Sequence, residues 1–161
     1  MKIGIMSDSH DHIENIKKCV ARFREEEVEF VIHLGDFVNP NSVRVMKGLK
    51  LFAVFGNNDG DIFRLMQTFH EIDGGIKGDF HEFEADNIRF AAYHGTEPGI
   101  TDALIQCGKY DVVMYGHTHR CVNAQSDKTL VINPGTAHGF GDRATIMIFD
   151  TKSRTPEIIS L

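Results

Sequence analysis

Apolar runs and amphipathic stretches alternate through the first half of the chain. Ile3 to Met6 is a short apolar run that stops at the polar cluster Ser7-Asp8-Ser9-His10-Asp11. From Ile13 to Glu27, Ile13, Ile16, Val20 and Phe23 recur at helical spacing with Lys, Arg and Glu between them, which predicts a helix. Phe30 to Leu34 is a second apolar run, ending at Gly35-Asp36, and Leu51 to Phe55 is a third, ending at Gly56-Asn57-Asn58-Asp59. Helices are expected around Ser42 to Gly48 and from Asp61 to His70, where Ile62, Leu65, Met66 and Phe69 share a face. Strands alternating with helices predict a parallel sheet covered by helices.

The pattern then turns strand-rich. Residues 80–93 read as two strands joined by a turn at Ala85-Asp86-Asn87. A helix is expected over Thr101 to Cys107 and a buried strand over Val112 to Tyr115. Three short β-rich runs follow: Thr129 to Ile132, Thr145 to Phe149 and Glu157 to Ile159. Two packed sheets with helices outside satisfy both halves. No repeat, low-complexity tract or linker interrupts the sequence, so a single domain over residues 1–161 is expected.

Composition narrows the function classes. Hydrophobic residues make up 42% and charged residues 25%, which argues for a folded domain and against disorder. The formal net charge of -6 speaks against strong nonspecific binding to nucleic acid. Cys19, Cys107 and Cys121 are odd in number and far apart, so neither a disulfide framework nor a cysteine zinc site is expected. The opening MKIGIMSDSH lacks a leader's apolar core, and no run approaches a membrane span. These features lead us to expect a cytoplasmic protein without a membrane partner. Phe63, Phe69, Phe80, Phe83 and Phe90 read mostly as core, with some available for a subunit contact in a homo-oligomer.

The chemistry is concentrated at strand ends. The three runs of the parallel half end in clusters holding Asp8 and His10, Asp36, and Asn57; His94-Gly95 and Gly116-His117-Thr118-His119 follow two further apolar runs. Ligands collect at the carboxyl ends of strands in α/β sheets. Asp8 and His10 are two apart, as are His117 and His119, and in extended chain such pairs point the same way. The donor set mixes oxygen and imidazole without thiolate, which suits Mn²⁺, Ni²⁺, Fe²⁺, Co²⁺ or Zn²⁺ better than Ca²⁺. The set is too large for one catalytic ion and fits two. Two divalent ions outweigh the charge of Asp8 and Asp36, so the site would attract a phosphate ester although the protein is acidic.

Taken singly, each residue has a plainer reading. Asp8 could cap the following helix, Asp36 and Asn57 could be turn residues, and His94 could be a hydrogen-bonded interior histidine. His33 lies within an apolar run and reads as structural; His70 and His81 read as surface. His12, beside Asp11, could open a helix or meet substrate as a proton donor. His138 could approach the site from its loop, and Arg120 could meet phosphate.

The ordered motifs D-x-H, G-D, G-N-x-D, H-G and G-H-x-H resemble those of the calcineurin-like metallophosphoesterases, closest to their small single-domain prokaryotic phosphodiesterases. The likeness runs from Met1 to about Arg143, and Asn133-Pro134-Gly135-Thr136 resembles that subgroup's N-P-G-S turn. The resemblance implies an α/β fold of the metallo-dependent phosphatase type: a four-layer α/β-β/α sandwich, two mixed β-sheets flanked by helices. It implies a binuclear centre in which Asp8, His10, Asp36 and His119 hold one ion, with Asp36 bridging, and Asn57, His94 and His117 complete the other. Mn²⁺ is the foremost candidate metal. The implied activity is hydrolysis of a small or macromolecular phosphodiester by a hydroxide held between the ions. Two other readings are a phosphomonoesterase and a metal-containing protein-interaction scaffold of the same fold.

One position departs from the pattern. Many members carry G-N-H-D or G-N-H-E, whereas this chain has Gly56-Asn57-Asn58-Asp59. Asn58 can donate a hydrogen bond but cannot act as an acid at neutral pH. Asn58 and Asp59 are the candidate catalytic residues, Asn58 helping Asn57 to orient phosphoryl oxygens and Asp59 ordering the loop.

Overall fold

The computed structural model describes residues 1–141 and 143–161. In chain order the elements are β1 (Lys2–Met6), α1 (Ile13–Glu25), β2 (Phe30–His33), α2 (Pro40–Val45), β3 (Leu51–Ala53), α3 (Ile62–Glu71), β4 (Gly75–Ile76), β5 (Phe80–Ala85), β6 (Ile88–Tyr93), α4 (Pro98–Gln106), β7 (Val112–Met114), β8 (Cys121–Ser126), β9 (Thr129–Pro134), β10 (Thr145–Asp150) and β11 (Thr155–Ser160). They form one sheet in the order β11-β10-β1-β2-β3-β4 and a second in the order β5-β6-β7-β9-β8. The neighbours from β1 to β4 are parallel, as are β6, β7 and β9, while β10, β11, β5 and β8 pair antiparallel. Both sheets are therefore mixed.

Alternation along the strands decides what each face buries. Ile3 and Ile5 of β1 point between the sheets, where they join Ile32, Leu34, Phe90, Val112, Met114 and Ile132. Met6, Val31, Leu51 and Ala53 point the other way, against Ile16, Val20 and Phe23 of α1, Val43 of α2, and Leu65 and Phe69 of α3. On the far side, Leu104 and Ile105 of α4 pack over Ala91 and Val113. Each large side chain fully buried in these cores contributes about 1.5–3 kcal/mol. The result is four layers, α/β-β/α, as the resemblance implies.

Boundaries differ from the periodicity where local chemistry intervenes. α1 stops at Glu25, short of the expected Glu27, whose φ of 54° is left-handed. α2 starts earlier than expected because Asn39 caps it, its side chain accepting from Asn41 N at 2.9 Å, and Pro40 fits the first turn. Pro98 likewise opens α4 before the expected Thr101. Two strands carry no apolar signal at all: β8 is a largely exposed edge strand, and β4 has only two residues. The expected hairpin between β5 and β6 is present, and Asp86 and Asn87 take φ of 50° and 57° at its turn, both positive as in a type I′ turn. Phe69 and Phe90 are core, but Phe63 is 78% exposed. Among the described residues no helix is long and apolar enough to cross a membrane.

Candidate metal centre

Five parallel strands deliver their carboxyl ends to one edge of the sandwich. Asp8 and His10 follow β1, Asp36 follows β2, Asn57 follows β3, His94 follows β6, and His117 and His119 follow β7. Asp8, His10, Asp36, His117 and His119 have φ of 53°, 38°, 59°, 62° and 57°. Non-glycine residues held in the left-handed region are strained and cluster at functional sites. These angles also correct the expectation of extended chain: Asp8 and His10 share a pocket because tight loops turn them inward, and the same holds for His117 and His119.

The side chains converge in two overlapping groups, Asp8 with His10 and His119, and Asp8 with Asp36 and His94, each with ligand atoms within 4.8 Å of one another. His119 Nε2 lies 3.2 Å from Asp8 Oδ1, and His10 Nε2 lies 3.4 Å from Asp36 Oδ2. His94 Nε2 lies 3.4 Å from Asp36 Oδ2 and 3.1 Å from Asn57 Oδ1. The His117 ring is 5.2 Å from that of His94, and its backbone N–H donates to Asp8 Oδ2 at 3.0 Å. All seven candidate ligands thus meet around one cleft.

Hydrogen bonding shows whether a cation fits. His94 Nδ1 lies 2.6 Å from Leu34 O, and a carbonyl can only accept, so Nδ1 carries the proton. In neutral His94 the lone pair is then on Nε2, which faces Asp36 Oδ2 and Asn57 Oδ1, two further acceptors. Asp8 Oδ1 and His10 Nε2 are buried with no hydrogen-bond partner among the described residues. Acceptors aimed at acceptors in a buried site are what divalent cations resolve, and the mixed oxygen and imidazole set suits them. Burial works against ionising Asp36, but without a cation a protonated His94 ring donates to it, and with the Asn58 amide this holds the carboxyl well below the usual carboxylate range.

Asn58 and Asp59 are engaged within the cleft wall. Asn58 donates its backbone N–H to Asp36 Oδ1 at 2.8 Å and its Nδ2 to Asp36 Oδ2 at 2.7 Å. Asp59 accepts from Val38 N at 2.8 Å, Gly56 N at 2.7 Å and Asp36 N at 3.0 Å, so its carboxylate pins the loop after β2 to the loop after β3. Burial raises the Asp59 pKa despite these donors. Glycine is required where the loops touch: a Cβ on Gly56 would collide with Asp36 Oδ1, and one on Gly116 with Ser7 Oγ.

Several contributors had weak sequence signals or none. His33 is fully buried, accepting from Gly35 N at 3.2 Å through Nδ1 and meeting Ser9 Oγ at 3.0 Å through Nε2. Asn133 donates to Gly116 O at 2.8 Å and Thr118 Oγ1 at 3.2 Å, which gives the Asn-Pro-Gly-Thr turn a role in holding the His117 loop. Phe140, which carried no signal, stacks on His119 at 4.7 Å and 5° and meets His10 edge-on at 4.7 Å. His12 caps α1, and His138 does reach the rim, with its ring 6.2 Å from that of His10. Arg120 is exposed, its backbone N–H on Thr118 Oγ1 at 3.5 Å. His81 is half-buried against Phe83, a correction to its surface reading: it shares the face of β5 on which Phe83 and Ala85 pack against the core between the sheets.

Comparison with known proteins agrees with this architecture. The profile of the calcineurin-like phosphoesterase superfamily domain matches residues 1–154. A phosphodiesterase of Methanocaldococcus jannaschii is 42% identical over 158 residues, 96% of this chain and 95% of that protein. The solved structure of an archaeal phosphodiesterase superposes with a TM-score of 0.93 at 41% identity, covering 100% of both chains. A phosphoesterase from E. coli shares the fold with a TM-score of 0.75 at 19% identity over 99% of each chain. With the profile spanning every strand but β11, and every strand end that feeds the cleft, the chain belongs to the calcineurin-like phosphoesterase superfamily.

Proposed function

We propose that this single-domain chain is a metal-dependent phosphodiesterase working in the cytoplasm. The observation that carries the reading is the set of polar atoms crowded together without partners: buried His94 Nε2 and Asp36 Oδ2 facing each other with Asn57 Oδ1 beside them, and buried Asp8 Oδ1 and His10 Nε2 left without a hydrogen-bond partner among the described residues. Asp8, His10, Asp36 and His119 would hold one divalent ion, and Asn57, His94 and His117, with Asp36 shared, the other. Mn²⁺ is the first choice, and Ni²⁺, Fe²⁺, Co²⁺ and Zn²⁺ suit the same donors. When bound, such a pair supplies Lewis-acid charge for phosphoryl oxygens and activates water at neutral pH. The name of the M. jannaschii relative supports the diester as substrate. The free cysteines fit a reducing compartment.

The chain's own residues keep this cradle in shape. Leu34 O fixes the His94 tautomer and so aims Nε2 inward. Asn58 orients Asp36, and Asp59 holds the two loops together; on this reading Asp59 is a positioning residue rather than one that meets substrate. No acid stands at position 58, so the ester oxygen must leave without a proton from that side.

The test is hydrolysis of bis(p-nitrophenyl) phosphate and of p-nitrophenyl phosphate with Mn²⁺ or Ni²⁺, beside Asp36→Asn and His117→Ala. Metal-dependent turnover favouring the diester is expected. Each variant should lose at least about a hundredfold, because loss of a ligand costs more than the 10–100-fold of an outer partner. A wild type without metal-dependent turnover overturns the enzyme reading, and preference for the monoester overturns the diester.

A further inference from the structure

His12 and His138 stand side by side at the rim of the cleft, outside its ligand set, with ring centroids 5.0 Å apart at 84°. Their hydrogen bonds fix both tautomers. Asn15 N–H donates to His12 Nδ1 at 3.2 Å, and Phe140 N–H donates to His138 Nδ1 at 3.1 Å. A nitrogen that accepts carries no proton, so each neutral ring carries its proton on Nε2. A protonated ring has one there too, so Nε2 is a donor in either state. Among the described residues neither Nε2 has a hydrogen-bond partner. Metal ligation through Nε2 would need the opposite tautomer and would break both Nδ1 bonds, so the pair is suited to an anion rather than a cation.

The surroundings carry no opposing sign on this side. The titratable groups that bear on His138 are the imidazoles of His12, His10 and His119, none of them an anion. The nearby Asp11 carboxylate is taken by Asn39 Nδ2 and Ser42 Oγ, turned towards α2, and Glu14 is paired with Lys17 at 2.8 Å. The pair is also held in place: Asn15 Nδ2 donates to His138 O at 2.9 Å, and Phe140 stacks on the His138 ring at 3.8 Å. Donors fixed before binding lose little entropy when a ligand arrives.

We propose that His12 and His138 form a subsite for a second phosphate group of the substrate, joined to the scissile diester by a short linker. The inference rests on the phosphodiesterase reading for the identity of the scissile group. The His10 and His138 rings lie 6.2 Å apart, so the subsite adjoins the candidate metal centre, and a phosphate held there would belong to the same small molecule as the scissile group. Charge-assisted hydrogen bonds to that second phosphate supply the discrimination.

The experiment compares the p-nitrophenyl ester of thymidine 5′-phosphate with and without a 3′-phosphate. In the wild type the 3′-phosphate should raise kcat/KM about tenfold, the effect of one charge-assisted bond. His12→Asn keeps a good helix cap without the imidazole. Together with His138→Asn it should bring the ratio to about one. Imidazole ¹H–¹⁵N spectra of the zinc-loaded protein give a readout independent of turnover. Thymidine 3′,5′-bisphosphate should shift both Nε2 signals, and thymidine 5′-phosphate should leave them in place. A wild-type ratio of one, a ratio that survives in the double variant, or signals that do not move overturns the subsite. A protein that hydrolyses neither ester but shows the shifts loses the phosphodiesterase reading and keeps the subsite.

Discussion

His33 donates its Nε2–H to Ser9 Oγ at 3.0 Å, joining the end of β2 to the loop that carries Asp8 and His10. The direction follows from Gly35, whose backbone N–H occupies Nδ1 at 3.2 Å. One neutral imidazole therefore spans the loops that deliver Asp8, His10 and Asp36. Charging it inside the fold would break the Gly35 bond.

That arrangement predicts a pH dependence of stability. Burial pushes the His33 pKa down to about 3. In the unfolded chain the same group takes up a proton near about 6.5. Because the folded pKa is depressed, the unfolded state binds the extra proton first. Stability tied to His33 is full above about pH 6.5 and is lost as pH falls towards about 3, by about 1.4 kcal/mol per pH unit. His33→Gln should cost about 1–3 kcal/mol at neutral pH through its lost hydrogen bonds. Urea unfolding of the chelator-treated proteins checks the sign: the gap between wild type and variant should shrink between about pH 6 and pH 4. A gap independent of pH would mean that His33 accepts a proton within the fold.

Asn58 sets the expected substrate range. Its backbone N–H and one Nδ2–H are spent on Asp36 at 2.8 and 2.7 Å, and an amide gives up no proton at neutral pH. Rates across a series of diesters should fall steeply as the pKa of the leaving alcohol rises. At saturating metal, Asn58→His should flatten that series by supplying an acid. Asn58→Ala should instead weaken metal binding about 10–100-fold, since it frees Asp36 from its partner. A flat series in the wild type would assign proton delivery to another group at the rim.

Most of the candidate site is legible in the sequence, because the chemistry proposed for it needs specific residue types at strand ends. Asp8, Asp36, Asn57, His94 and His117 each follow an apolar run, and the sheet topology brings those ends together. The parallel half was legible for the same reason, since fully buried strands read as apolar runs. β8 was not, because an edge strand gains its order from pairing with β9 while its side chains stay in water. Asn133 and Phe140 were hidden differently. Asn133 acts on Gly116 and Thr118 from the neighbouring strand, and Phe140 meets His119 only because the fold brings the two side by side. Helical or strand periodicity carries no trace of such contacts. The left-handed backbones of Asp8 and Asp36 were equally silent, as Asp is common in ordinary turns.

Close packing of the two sheets' loops predicts sharply different costs for two glycines. A Cβ on Gly116 would collide with Ser7 Oγ and lie 2.8 Å from Asp8 Oδ2, while one on Gly99 would meet nothing within 4 Å. Gly116→Ala should displace Asp8 and lower metal affinity at least about tenfold. Gly99→Ala, in the first turn of α4, should leave metal binding alone and stabilise the protein by up to about 1 kcal/mol. Calorimetric metal titration and thermal melting of the two variants separate these outcomes. Equal metal affinity in both would show that the loops after β1 and β7 tolerate greater separation than their contacts imply.

The coupling between metal and fold can be read at Cys19. Its side chain is fully buried on α1, and burial pushes the thiol up to about 12. Thiolate is the reactive form, so a thiol reagent at mildly alkaline pH meets Cys107 and Cys121, which are exposed, and cannot meet Cys19 until the α1 layer opens. α1 is tied to the cleft at its first turn, where His12 caps it and Asn15 holds His138 O at 2.9 Å. Ions that bind only the folded state should therefore slow Cys19 labelling. At a metal concentration 100 times the dissociation constant the opening free energy rises by about 2.7 kcal/mol, which is about a hundredfold in labelling rate. Cys107 should label at the same rate with and without metal. Mass spectrometry of the time course distinguishes the two sites. If Cys19 labelled as fast as Cys107, the buried seam between α1 and the first sheet would be wrong. If Cys19 were slow but indifferent to metal, the seam would stand, and α1 would open without disturbing the cleft.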